Sequence, residues 1–259
     1  MKKNSYRQLA EIEDEHWWFV YRRKIVQELL SKVRLRNGIK GLDVACGAGG
    51  NVQLLKKYCE SVIGLDFSEL ALEFARNKRE IGNVEFVRGD ANNLEKIFRQ
   101  GSFGLITIFN VLYHKWIVEE LDVLEQCNVL LESGGIIVLT EPAFGFLMRR
   151  HDIQAMGVRR YNLRSAEKLL RNAGFRLIFG TYFNAIGFLP VLFLAVIERM
   201  KSKKSKTSIN DKPIGELKVP NKPISSLILV LTMLEGSILS RLSKLPFGVT
   251  LLCIAEKRY

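Results

Sequence analysis

The stretch DVACGAGGN, Asp43 to Asn51, closes an apolar lead-in, IKGLDVAC, that begins at Ile39. A buried strand running into a turn of small residues is where parallel α/β sheets hold nucleotides, because only small residues let the backbone come close to a ligand. Hydride carriers and methyl donors both sit on such turns, so the turn raises a question of chemistry as well as of fold.

Outward from it, short apolar runs alternate with longer helix-like segments. The runs are KGLDVAC, SVIGLDF, NVEFVRGD, FGLITIFN and GGIIVLTEP; between them lie NVQLLKKYC, SELALEFARNKRE, ANNLEKIFRQ and KWIVEELDVLEQCNVLLES. The last carries Ile117, Leu121, Leu124 and Leu131 at helical spacing. This alternation predicts a mostly parallel sheet with helices on both faces, and the near-continuous apolar strands agree with burial on both sides. Beyond Glu141, an amphipathic helix is expected over RSAEKLLRNAG, with Ser165 near its start and Gly174 past its end in capping positions. The strand-like FRLIFGTYF, the apolar NAIGFLPVLFLAVIERM, a basic tract KSKKSK, a linker to Pro223, a second apolar stretch ISSLILVLTMLEGSILSRLSKL and a strand GVTLLCIAEKR follow. No internal repeat is visible.

At 259 residues and 47% apolar, the chain can bury a sizeable core, which excludes disorder throughout. Cys46, Cys59, Cys127 and Cys253 are scattered without C-x-x-C spacing, as expected of reduced thiols in a cytoplasm, and the N-terminal stretch lacks the apolar core of a signal peptide. The formal charge of +12 is not evenly spread: residues 1–140 hold 19 basic and 19 acidic residues, residues 141–259 hold 20 and 8. A basic C-terminal part suits either a hydrated surface or one that meets phosphates or anionic lipid; nucleic acid is disfavoured, since no helix-turn-helix, zinc-finger or RNA-recognition pattern is present. The uncharged run from Phe183 to Ile197 is short of a membrane span, leaving a helix packed on the domain or one lying in the interface with Arg199, Lys201, Lys203, Lys204 and Lys206 toward lipid.

The turn departs from the dinucleotide fingerprint G-x-G-x-x-G/A, because Gly47 and Gly49 are followed by Val52. Asp43, Ala45, Gly47 and Gly49 instead resemble the first motif of the class I S-adenosylmethionine-dependent methyltransferases, (D/E)-x-G-x-G-x-G, with alanine in place of the first glycine. That exchange is mild unless position 45 takes a positive φ. The likeness continues in order along the chain. It implies cofactor contacts from Asp43, Ala45, Cys46, Gly47 and Gly49 in the turn, with Cys46 a small buried filler. Asp66, followed by Phe67, would receive the ribose hydroxyls, while Ser68 fits the helix N-cap. In VRGDANNL, Asp90 and Ala91 would meet the adenine, with a cap the alternative for Asp90. Asn110, in FNVLYHKW, would border the methionine part. The resemblance covers residues 40–185 and implies a Rossmann-like seven-stranded sheet whose last strand, GVTLLCIAEKR, is antiparallel.

The expected division is therefore an N-terminal helical segment or lid (1–39), a cofactor-binding core (40–185), an apolar and basic insertion or cap (186–246) and the final strand (247–259). Methyltransferases linked to glycan or lipid biosynthesis are similar in this C-terminal arrangement and in carrying HWWF followed by arginine. Here Trp18 and Arg22 lie four apart in the helix-like EDEHWWFVYRRKIVQELLSKV and share a face, placed either to close over the cofactor, with arginine on its carboxylate, or to anchor the helix. His114 is the candidate general base, with Tyr113 and Glu141 as substitutes. No metal is expected, because the acidic residues are not grouped with histidines at ligand spacing. The expectation is transfer of a methyl group from S-adenosyl-L-methionine, leaving S-adenosyl-L-homocysteine, to a small-molecule, lipid or glycan acceptor, in a cytoplasmic protein with peripheral contact to an anionic membrane. A non-catalytic protein of the same fold and an NAD-dependent oxidoreductase are the alternatives, and the oligomeric state is left open.

Overall fold

The computed structural model describes residues 7, 10–78, 82–204, 230–232, 234–237, 239 and 244–258. Lys206, the linker to Pro223 and much of the second apolar stretch lie outside them. The elements are α1 (Trp17–Leu30), β1 (Lys40–Val44), α2 (Val52–Leu55), β2 (Ser61–Asp66), α3 (Glu69–Lys78), β3 (Val84–Arg88), β4 (Phe103–Phe109), α4 (Glu120–Leu130), β5 (Leu131–Pro142), α5 (Arg150–Gln154), α6 (Leu163–Asn172), β6 (Phe175–Phe183), α7 (Phe188–Lys204) and β7 (Thr250–Lys257). Short 3-10 turns occupy Ala91–Lys96 and Gly145–Leu147.

The strands form one seven-stranded sheet in the order β3-β2-β1-β4-β5-β7-β6. β1 to β5 pair in parallel, and β7 runs antiparallel to both β5 and β6. This is the expected α/β, Rossmann-like sheet with helices on both faces. Side chains alternate across a strand, so one set of strand residues feeds each core. Leu42, Val44, Ile106, Ile108, Ile137 and Leu139 pack with α4 and α6. Leu105, Phe109, Ile136 and Val138 pack on the other face with Tyr21, Ile25 and Val26 of α1. Each such side chain, fully buried, contributes about 1.5–3 kcal/mol.

Several boundaries differ from expectation. His16 is not in a helix: its extended backbone makes it the N-cap of α1, its ring accepting from Trp18 N–H at 3.2 Å. NVQLLKKYC yields only the four residues of α2. ANNLEKIFRQ forms a kinked 3-10 turn, with Asn93 at φ −137°. Ile117 precedes α4 and Leu131 opens β5, although both are buried in the core that α4 serves. The α6 caps hold: Asn162 and Ser165 form a reciprocal capping box, and Gly174 follows the helix at φ +85°.

Candidate active site

Four strands end in left-handed backbone at the carboxyl edge of the sheet: Ala45 (φ 56°) after β1, Asn110 (58°) after β4, Phe144 (57°) beyond β5 and Asn184 (60°) after β6. Asparagine tolerates this region; alanine and phenylalanine do so at a cost of order 1–3 kcal/mol, a strain that clusters at ligand sites. The exchange of glycine for Ala45 is therefore not the mild one the motif suggested.

The glycine turn closes through Cys46 N–H to Leu65 O (2.8 Å) and Gly49 N–H to Cys46 O (3.0 Å). Gly49, at φ +80°, abuts the Phe86 ring, 3.0 Å from where a Cβ would stand; Gly47, at φ +60°, has open space there. Gly47 instead donates its N–H to Asp66 Oδ2 at 2.9 Å, and Asp66 Oδ1 accepts from Ser68 N–H at 2.9 Å. Asp66 is thereby fixed at the end of β2, nearly buried, and burial raises its pKa while the N–H donors of Ser68 and Gly47 pull it back. Ser68 is the cap of α3, accepting from Ala71 N–H at 3.3 Å. Phe67 next to Asp66 is exposed and faces Trp116, ring centroids 6.2 Å apart.

Asp90 caps the 3-10 turn, Oδ1 accepting from Asn92 N–H (2.9 Å) and Nδ2 (2.7 Å), and Ala91 is buried beneath it. Asn92 Nδ2 also donates to Trp116 O at 3.0 Å, bracing the loop after β3 against the loop after β4. Asn110 accepts from Thr140 Oγ1 at 3.2 Å.

On the α1 side of the turn lies a buried polar cluster. Register sets Asp43 opposite Thr107, and the hydroxyl donates to Asp43 Oδ1 at 2.7 Å. Asn51 links the cluster, donating weakly to Asp43 Oδ2 (3.4 Å) and accepting from Arg22 Nη2 (3.2 Å). Burial pushes Asp43 up to about 6, with Thr107, Asn51 and Arg22 acting against it, and brings Arg22 down to about 10. Arg22 lies over the Phe109 ring, 5.2 Å from its centroid, and its Nε finds no partner among the described residues. Trp18 does share that side of α1, but its indole stacks on Phe183 at the end of β6, centroids 5.6 Å apart and planes 5° from parallel.

His114 is sandwiched between Tyr113 and Trp116, centroids 3.9 and 3.8 Å away, and its Nδ1 is buried without a partner among the described residues. Burial brings it down to about 4, so the ring is neutral and only weakly basic at physiological pH. Burial also raises the Tyr113 hydroxyl. Glu141 is fully buried and accepts from Val111 N–H (3.0 Å), Leu112 N–H (2.8 Å) and Tyr113 N–H (3.3 Å), which makes it the anchor of the loop after β4 and not a group facing substrate.

Four participants were missed. Asn51 stood in the quoted turn and Trp116 in FNVLYHKW; Thr107 was the polar residue inside an apolar strand, and Phe109 ended that strand. Among the described residues no group of His, Cys, Asp and Glu could hold a metal ion, and no helix is long and apolar enough to cross a membrane.

The profile of the family described as "Methyltransferase domain" matches residues 42–135. The demethylmenaquinone methyltransferase of Staphylococcus saprophyticus is 32% identical over 144 residues, 54% of this chain and 57% of that protein. The chain thus spans little more than half the length of this curated relative. Two solved structures share the fold. One is the S-adenosylmethionine dependent methyltransferase from Mesorhizobium loti (TM-score 0.57, 15% identity, 95% of this chain and 100% of that one). The other is Haemonchus contortus phosphoethanolamine N-methyltransferase 2 in complex with S-adenosyl-L-methionine (TM-score 0.55, 19% identity, 91% and 52%). Over residues 42–135 the chain is thus similar to a methyltransferase domain.

Proposed function

From that similarity as premise, we propose that the whole chain is an S-adenosylmethionine-dependent methyltransferase acting on a small-molecule acceptor. The observation that carries it is the pinning of Asp66 between the Gly47 and Ser68 N–H groups, at the edge where four strands end in left-handed backbone. The residues suit the cofactor: Gly47 leaves open space where a backbone can approach a ligand, and the buried Nε of Arg22 lacks a partner among the described residues.

In this reading Asp66 takes the ribose hydroxyls, and the Phe67 and Trp116 rings with Asp90 and Ala91 hold the base. Asp43, Ala45, Cys46, Gly47, Gly49 and Asn110 shape the turn around the methionine part. Arg22, still protonated at neutral pH, attracts a carboxylate; Trp18 fixes the helix, residues 1–39 serving as a lid on the core of 40–185 and 247–259. S-adenosylmethionine, when bound, supplies a methyl group already activated by its charged sulfur. The protein's task is then alignment and exclusion of water, which can supply about 7–11 kcal/mol of the barrier. His114, our candidate base, accepts a proton only from an acidic acceptor hydroxyl; its neutral ring otherwise positions the acceptor beside Tyr113.

For the acceptor we favour an apolar or amphiphilic molecule, a lipid, a lipid-linked glycan or a ring compound of the demethylmenaquinone kind, met by the cap of residues 186–246 on the cytoplasmic side of a membrane. The test is twofold. Thermal-shift titration should give stabilisation by S-adenosylmethionine and S-adenosylhomocysteine and none by NAD; the reverse overturns the reading. Tritiated-methyl transfer to separated lipid, glycan and small-molecule fractions should label one of them. A chain that binds the donor yet labels none would be the non-catalytic alternative.

A further inference from the structure

We propose that the outer face of α7 is a docking surface for an anionic lipid bilayer. Leu189, Phe193, Val196 and Met200 are 70%, 66%, 43% and 60% exposed. At 100° per residue they fall in one sector about 60° wide. Phe146 and Phe247, both exposed, touch Phe188 at 6.2 and 5.2 Å, beside the stripe and not in it. Single exposed apolar residues are ordinary, whereas a continuous stripe along about three turns marks a surface that meets something apolar.

The opposite side of the helix is committed to the protein. Ala195 is fully buried, and Glu198 accepts from Arg149 Nε (3.1 Å) and Nη2 (2.8 Å) and from Arg150 N–H (2.9 Å). Glu198 is the only acidic residue of α7, and it points inward. On the wheel Arg199 stands on one flank of the apolar stripe and Lys201 on the other, both exposed. Basic residues bordering an apolar stripe on both sides match lipid phosphates above acyl chains. They argue against a parallel pairing with a second copy, which would bring the same cations together. The Arg149–Glu198 pair ties α7 to the connection after β5, so a docked helix holds the carboxyl edge of the sheet close to the bilayer. The proposal rests on geometry and charge and stands apart from the reaction.

The full chain is mixed with phosphatidylcholine vesicles, with or without phosphatidylglycerol, and floated on a density gradient. It should rise with the anionic vesicles at low salt and far less with the neutral ones. The double variant Phe193→Ser, Met200→Ser should bind at least about ten-fold more weakly, and Lys201→Glu about five-fold or more, with unchanged melting temperature and donor binding. Wild type staying at the bottom of the gradient overturns the proposal, as does a double variant that floats undiminished. A double variant that changes only the oligomeric state would assign the face to a second copy. Because donor binding is read by calorimetry in the same samples, wild type that binds the donor but does not float counts against docking alone, and wild type that floats but does not bind the donor counts against the reaction alone.

Discussion

Asp66 has each carboxylate oxygen already engaged by one backbone N–H, which fixes its orientation and leaves the remaining lone pairs for a ligand. If it receives two hydroxyls, Asp66→Ala should weaken S-adenosylmethionine binding by about ten- to a hundred-fold, measured by calorimetry, with the fold intact by circular dichroism. Glu141 makes a different prediction. Burial raises it to about 8 despite three N–H donors. The folded state therefore holds this proton more tightly than the unfolded chain, whose carboxyl titrates near its ordinary value of about 4.5. That stabilisation is complete below about pH 4.5 and is lost as pH rises through 8. Melting temperatures should fall more steeply from pH 5 to 8 for the wild type than for Glu141→Gln, whatever the absolute cost of the substitution. The participants hardest to read from sequence belong to this scale. Thr107 matters because register sets it beside Asp43, and hydropathy within one strand says nothing about register with the next. Ala45 looked like a small substitution because its positive φ is a property of the turn and not of the residue.

The elements were legible where one signal sufficed. The apolar runs gave the strands: β1 and β4 are buried parallel strands, which need little besides continuous β-prone apolar sequence. FRLIFGTYF coincides residue for residue with β6, the edge strand antiparallel to β7. Helix ends were less legible. Ile117 and Leu131 continue the spacing of α4 yet sit in a loop and a strand, since burial in a common core imposes apolarity without imposing helix. At α1, charge and apolar pattern ran on through residue 13, but His16 adopts the extended cap conformation and starts the helix later. The Trp18 stack on Phe183 joins α1 to β6 across the sheet. Trp18→Ala should lower stability by about 1–3 kcal/mol in urea unfolding, less than a fully buried tryptophan would, because this ring is half-buried.

Across the whole molecule, all four thiols are buried and free. Burial pushes Cys59 and Cys253 up to about 12 and raises Cys46 and Cys127 as well, so the native protein offers little thiolate. A disulfide-exchange reagent should react slowly with folded protein and release four equivalents at once in denaturant; rapid native labelling would mean that a core opens easily. The uneven charge shows at this scale too: a balanced amino-terminal part is joined to a basic one, and that division was plain in composition before any element was placed.

The position of β7 bears on how the protein is made. It is translated after every other strand, yet it fills the slot between β5 and β6. On the ribosome, β1 to β5 with their helices can assemble early, while the outer edge of β5 and all of β6 wait unpaired until residues 184–249 have followed. Closing so long a loop adds little entropy cost, because that cost grows only with the logarithm of length. The interval itself is the hazard, since a nascent chain with two open strand edges invites pairing with its neighbours. Slow elongation through this segment, or a scarcity of chaperones during it, would reduce the yield of soluble protein without altering the finished molecule.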